Sequence, residues 1–173
     1  MIRPATPDDV QNLLAIYAQY IETPITFEFE LPSLCEFTDR IDKTTKNYPY
    51  PVAEENGQIC GYAYAGQVFS RAAYQWGADL SIYLDRRCVG RGLGTELYLR
   101  LIEILQNRGV RTVYGCVTTP NPASEKLHEK TGFRKIGIFR NAGFKNGSWH
   151  DVTWFEKQIG TYSVPTPLIP FEK

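Results

Sequence analysis

Two histidines and a single methionine in 173 residues leave little with which to build a metal centre. The four cysteines, Cys35, Cys60, Cys88 and Cys116, are scattered, and no two form a C-x-x-C pair. A structural zinc site or a disulfide framework is therefore not expected, and no metal is assigned. Excess charge is missing too, since 19 Lys plus Arg balance 19 Asp plus Glu. A protein that binds nucleic acid through a general basic surface would not show that balance. No apolar run approaches membrane-spanning length, and the N-terminal "MIRPATPDD" lacks the apolar core of a secretion signal. The expectation is a cytoplasmic protein with reduced thiols, without a membrane or nucleic-acid partner. Internal repeats, low-complexity stretches and linkers are also absent. What the chain has in abundance is aromatic: 11 Tyr, 9 Phe and 3 Trp. Several lie in loop-like stretches such as "TFEFE" and "FSRAAYQW", where aromatics can line a pocket.

The order of elements follows from periodicity and punctuation. "IRPA" reads as a short strand. Thr6 then caps a helix over residues 7–21, with Pro7 at its first position and Val10, Leu13, Leu14 and Tyr17 at helical spacing. Ser33 caps a second helix that runs to about Lys46. A hairpin turned at Asn56-Gly57 follows, then the extended run "YQWGADLSIYL". Leu93, Leu97, Leu101, Ile104 and Leu105 mark one face of a helix that stops at Gly109. "RTVYGCVTT" is a strand, Asn121-Pro122 opens a short helix through Lys130, and a closing hairpin turns at Asn146-Gly147. The order β-α-α-β-β-β-α-β-α-β-β implies one α/β (α+β) domain, a mixed central sheet flanked by helices. The domain is expected over residues 1–160. The proline-rich tail, residues 161–173, is expected to pack on its surface.

Between a strand and the strongest helical pattern lies "DRRCVGRGLGT", with glycines at every second position. Glycine costs backbone entropy wherever it is ordered, so three of them need a reason. A helix start carries unpartnered N–H groups and partial positive charge, and glycines let such a backbone approach a phosphate closely. Arg86, Arg87 and Arg91 add cationic charge, so the stretch reads as a diphosphate cradle. It is not a P-loop, because Gly94 is followed by Thr95 and Glu96 rather than by Lys and Ser or Thr. Nor is it a dinucleotide fingerprint, because the glycine spacing differs and the next strand ends in threonines.

Arg87-Cys88-Val89-Gly90-Arg91-Gly92 resembles the Arg/Gln-x-x-Gly-x-Gly/Ala signature of the GNAT N-acetyltransferase superfamily, and "TTPNPASEKLHEKTGF" is similar to its second segment. "IRPAT", "YIET", "YPYPVAEENGQICGYAYAG", "LHEKTGF", "VPTPLIP" and above all "AGFKNGSWHDV" resemble the phosphinothricin N-acetyltransferase family over essentially the whole chain. The resemblance implies a GNAT fold, acetyl-CoA as co-substrate, and acetyl transfer to the α-amino group of a small amino-acid analogue. Phosphinothricin, methionine sulfoximine and methionine sulfone are the acceptors it implies, with detoxification as the role and a homodimer as the common assembly. Two other readings stay open: a GNAT enzyme for another small amine, and a non-catalytic acetyl-CoA-binding module.

The same resemblance distributes roles. The backbone of Ile82, Tyr83 and Leu84 lines the pantetheine arm. Gly90, Arg91, Gly92, Leu93, Gly94 and Thr95 hold the diphosphate, with Asn121 and Lys130 reaching the coenzyme from the next helix. Phe27, Tyr64, Arg71, Tyr74, Asp79, Leu80 and Ser81 surround the acceptor. Asp79 interrupts a mostly apolar strand and is the candidate base, one methylene shorter than the family's glutamate, which favours a proton path through water. His128 stands where the superfamily often has a tyrosine that protonates the thiolate, and imidazole chemistry suits either direction of transfer. Asn121 before Pro122 is equally a helix cap. Phe69 occupies a position where a family member carries lysine, so the pocket is expected to favour the neutral-headed sulfoximine or sulfone over phosphinothricin.

Overall fold

In the computed structural model, residues 1–170 are described. Seven strands form one sheet: β1 (Ile2–Pro4), β2 (Pro51–Glu55), β3 (Gln58–Gln67), β4 (Gly77–Leu84), β5 (Thr112–Thr119), β6 (Arg134–Lys145) and β7 (Ser148–Gln158). They lie in the order β1-β2-β3-β4-β5-β7-β6. Four helices accompany them: α1 (Val10–Ala18), α2 (Leu34–Thr45), α3 (Leu93–Asn107) and α4 (Pro122–Lys130). All neighbours are antiparallel except β4 and β5. The mixed sheet flanked by helices is the architecture expected from the sequence.

The first helix is shorter than residues 7–21. Pro7–Asp9 form a single 3-10 turn, because the Asp9 carboxylate turns back to accept from the Thr6 N–H at 2.7 Å and from the Arg3 guanidinium at 2.7 and 2.8 Å. After Ala18 the chain tightens into successive i to i+3 bonds, ending with Thr23 N–H on Tyr20 O ahead of Pro24. The other boundaries fall close to their punctuation. Ser33 and Glu36 form a reciprocal cap on α2, and Gly109 and Gly132 take left-handed φ values of 95° and 85° just past α3 and α4.

Strand alternation divides the sheet into two faces. Ala63, Ala65, Ala78, Leu80, Val113 and Val117 pack against Leu97, Tyr98, Leu101 and Leu105 of α3. On the opposite face Val52, Tyr62, Tyr64 and Tyr83 pack against α1 and α2 through Leu13, Ile16, Tyr17, Phe37 and Ile41. Leu97, Leu101 and Leu105 are fully buried, each contributing roughly 1.5–3 kcal/mol to the core that fixes α3 on the sheet. All four cysteines are free, and Cys60, Cys88 and Leu93 form a small apolar cluster beneath the glycine turn. Residues 171–173 of the expected tail lie outside the described residues; within 161–170, Trp76 Nε1 donates to Thr166 O at 3.0 Å, and Ile169 exchanges hydrogen bonds with Arg108.

Candidate active site

The three glycines of the turn do different work. Gly90 and Gly92 have φ of 82° and 86°, in the left-handed region that side chains resist, and a Cβ on either would point into open space. Gly94 is a packing glycine, since a Cβ there would come within 3.0 Å of Leu84 Cδ1. Gly92 is the N-cap of α3 and supplies no side-chain cap, which leaves first-turn amides, including those of Gly94 and Thr95, available to an anion. The arginines are more committed to the fold than their spacing suggested. Arg87 is paired with Asp85 at 2.7 Å, which holds that carboxyl at about 2, and Arg86 lies over the Tyr20 ring. Arg91 reaches Glu55 at 3.3 Å and the Arg87 carbonyl at 3.1 Å. The cationic field stays at the turn, and the first-turn backbone amides add donors to it.

Beyond this turn the sheet opens. β4 and β5 pair only over Gly77–Asp79 and Thr112–Tyr114, although each continues for five residues past that point. Ile82, Tyr83 and Leu84 therefore have β3 on one side and no strand on the other, and Leu84 O takes a hydrogen bond from the Tyr20 hydroxyl. Because β4 and β5 are parallel, α3 and α4 both begin at the same edge, flanking the gap with two helix N-termini. Asn121 stands at the second of these, its side-chain oxygen accepting from Ser124 N–H at 3.2 Å, so its capping role is realised. Lys130 is exposed at the far end of α4, away from that edge.

Asp79 sits where the two strands part. It shares the α1/α2 face with Ser81 and Tyr83, beside Tyr114 on β5 and opposite Gly66 on β3, where a Cβ would meet nothing within 4 Å. Its Oδ1 is buried without a hydrogen-bond partner among the described residues. Burial raises its pKa from the ordinary 3.8 to about 6, opposed by the Leu80 N–H. A carboxylate so placed is ionised at neutral pH yet is a far better proton acceptor than an exposed aspartate.

His128 is not brought to Asp79. It lies on the α3 face, because its Nε2 stands 2.2 Å from where a Cβ on Gly115 would be, and its ring stacks on Phe155 and meets Phe133 edge-on. Nδ1 is 2.8 Å from Ser124 O, and Nε2 is 2.9 Å from the Tyr98 hydroxyl. The ring is 3% exposed, and burial lowers its pKa against the Ser124 hydrogen bond. With both nitrogens in use and the sheet between them, the two candidate catalytic groups do not form a pair.

The structure does not bring the candidate acceptor residues into one pocket. Tyr64 faces Ser81 across the β3–β4 ladder and lines a cavity of about 240 Å³ with Tyr17, Glu28, Arg40 and Tyr62. Tyr74 and Phe69, ring centroids 4.8 Å apart, line another of about 370 Å³ with Trp76, Arg111 and Tyr114. Asp79 lines neither: its β5 register partner Tyr114 belongs to the larger cavity, and Tyr64 of the smaller one pairs with Ser81, two residues along β4. Arg71 is exposed in the β3–β4 loop, Leu80 points into the α3 core, and Phe27 is packed against the closing hairpin.

A model of the acetyltransferase (GNAT) domain matches residues 2–154. The chain belongs to the GNAT family. Within it, the chain is a member of the phosphinothricin acetyltransferase group: it is 35% identical over 170 residues to a phosphinothricin N-acetyltransferase of Streptomyces viridochromogenes, covering 98% of this chain and 93% of that one. It is 32% identical over 118 residues to the L-methionine sulfoximine/L-methionine sulfone acetyltransferase of Salmonella typhimurium, 68% and 69% of the two chains. The crystal structure of a GNAT phosphinothricin acetyltransferase from Sinorhizobium meliloti in complex with acetyl-CoA superposes with a TM-score of 0.93 at 32% identity, covering 99% of this chain and 96% of that one.

Two residues that the sequence did not flag make hydrogen bonds at this site, Tyr98 to His128 and Tyr20 to Leu84 O. Tyr98 reads as one more apolar-stripe position of α3, and nothing local distinguishes it from Leu97 or Leu101. Tyr20, which holds Leu84 O, looks like the last turn of α1.

Proposed function

We propose that this GNAT enzyme transfers the acetyl group of acetyl-CoA directly to the α-amino group of a small amino-acid analogue of the phosphinothricin, methionine sulfoximine and methionine sulfone class. The observation that carries the reading is Asp79: a buried carboxylate with an unpartnered oxygen, set where β4 and β5 separate. The gap and the turn fit acetyl-CoA. Bare amides of the α3 first turn face the edge where a diphosphate would lie, and the unpaired side of Ile82–Leu84 offers main-chain groups to an amide-bearing arm. Bound there, acetyl-CoA supplies an activated acyl carbon as a thioester.

The chain's own groups then have defined tasks. The acceptor arrives as an ammonium, and Asp79, ionised above about pH 6, takes its proton through a water. The freed nitrogen pair forms the C–N bond as the C–S bond breaks. The second amine proton goes to the departing thiolate, and the first leaves Asp79 for solvent. An N–H on the open side of β4 can donate to the thioester oxygen as its negative charge develops. Arg71 is the cation proposed for the acceptor's carboxylate or phosphinate, in the bidentate geometry that guanidinium offers. His128 receives no proton-transfer step in this scheme; it holds the Tyr98 hydroxyl.

Thiol release from acetyl-CoA, followed with and without each candidate amino acid, tests the proposal. Release only with methionine sulfone, methionine sulfoximine or phosphinothricin supports it. Release with other small amines instead points to a different acceptor, and acetyl-CoA binding without release with any amine would make the protein a binding module.

A further inference from the structure

The hairpin sequence "AGFKNGSWHDV" joins β6 to β7 and contributes no group to the chemistry above. Its lysine nevertheless has an unusual position. Lys145 is 3% exposed, and its Nζ lies 2.6 Å from Ile21 O, 2.9 Å from Thr23 O, 2.7 Å from Thr26 O and 2.7 Å from Glu28 O. An ammonium has three N–H groups, so these four carbonyls share them. Burying a charge costs several kcal/mol unless polar groups surround it, and here the compensation comes from carbonyl dipoles of one loop. Burial lowers the Lys145 pKa, while Glu22 and Glu28 raise it.

Residues 23–28 belong to no helix or strand, so their carbonyls have no ladder to join. A single ammonium satisfies the group of them and thereby sets the path of the loop. The rest of the hairpin continues the grip. Asn146 Nδ2 donates to Glu22 O at 2.9 Å, and the His150 Nε2 is 3.0 Å from Lys145 O. Phe27 lies over Gly143 so closely that a Cβ there would fall 2.4 Å from its Cε2, and its ring centroid is 6.3 Å from that of His150.

We infer that this hairpin is the seat of the loop on the acceptor side, and that Lys145 is a positioning residue: by gathering the carbonyls of residues 21–28 it holds Phe27 in place for the acceptor. The inference rests on the proposed function and on the acceptor role that the family resemblance implies for Phe27. The loop's attachment itself can be read without any substrate.

Lys145→Met keeps the side-chain bulk and removes the ammonium. Amide hydrogen exchange at residues 25–28 should accelerate at least tenfold, while α3 stays within twofold of wild type. With methionine sulfone as acceptor, the acceptor KM should rise at least tenfold and the acetyl-CoA KM should change less than twofold. Phe27→Ala combined with Lys145→Met should raise the acceptor KM little beyond the larger single effect. Unchanged exchange overturns the seat; faster exchange with an unchanged acceptor KM, or equal losses for both substrates, overturns the positioning role. Should Lys145→Met not fold, Asn146→Gly takes its place: Asn146 has φ of 52°, which glycine adopts freely, so the variant removes only the bond to Glu22. A roughly threefold rise in both loop exchange and acceptor KM is then expected, and no change in either overturns the inference. If the wild type acetylates none of the proposed acceptors, the proposed function and the positioning role fall together, while the exchange result still decides the seat.

Discussion

Replacing the Asp79 carboxylate with its neutral amide, Asp79→Asn, should make the protein more stable and less active at once. The wild-type carboxyl titrates at about 6 in the fold against 3.8 when unfolded. Between those values the folded state holds a proton that the unfolded state has released, so stability falls as pH rises from about 4 to about 6 and stays reduced above it. The gap corresponds to a penalty of up to about 3 kcal/mol at pH 7.5, which the amide does not carry. For a chain of this size that is a gain in Tm of roughly 6–12 °C at pH 7.5. The gain should shrink to nothing below pH 4, and every other titrating group cancels in the difference between the two proteins. Turnover should move the other way, falling about 10²–10⁴-fold, as expected when a positioned proton acceptor is lost. Wild-type kcat/KM should fall about tenfold for each pH unit below 6, as the carboxylate is protonated. Differential scanning calorimetry at pH 4 and 7.5, beside thiol-release kinetics and titration with acetyl-CoA, measures all of this. A variant with unchanged or lower Tm at pH 7.5 refutes the burial reasoning, and one that turns over normally removes Asp79 as the base.

Gly92→Ala forces a side chain into φ of 86°, so urea unfolding should show a loss of about 1 kcal/mol. Its Cβ enters the space before the α3 amides, and calorimetric titration should find acetyl-CoA binding about tenfold weaker. His128→Phe leaves the Tyr98 hydroxyl without its partner, which should cost about 1–3 kcal/mol in chemical denaturation. Its turnover should keep the limb near pH 6; a hundredfold loss in a folded variant would return His128 to the reaction. Phe69→Lys adds a cation to the cavity shared with Tyr74 and should raise kcat/KM for phosphinothricin relative to methionine sulfone, as read in a competition assay; an unchanged ratio would separate that cavity from acceptor choice.

Most of the frame was legible because it is written in local signals. Asn56-Gly57 and Asn146-Gly147 demanded hairpins, Ser33 with Glu36 announced α2, and the leucines of α3 recur at helical spacing. The glycine turn was legible for the same reason, since two of its residues adopt conformations that other residues avoid. What escaped depends on contacts between distant segments. Arg87 could be counted as a phosphate ligand until Asp85 was seen to hold it. His128 and Asp79 are plausible partners in a list of residues, yet alternation along β4 and β5 places them on opposite faces. Lys145 looks like a solvated hairpin lysine, and its carbonyl partners come from a loop more than a hundred residues earlier.

The short pairing of β4 with β5 has a consequence for the protein without its coenzyme. Main-chain donors and acceptors along the parted strands form an edge in the interior of the sheet, where no neighbouring protein can add a strand as it could at an outer margin. Water must serve them until a molecule with amides of its own slides in, so saturation with coenzyme should slow amide exchange along both strands and raise the melting temperature with the logarithm of its concentration.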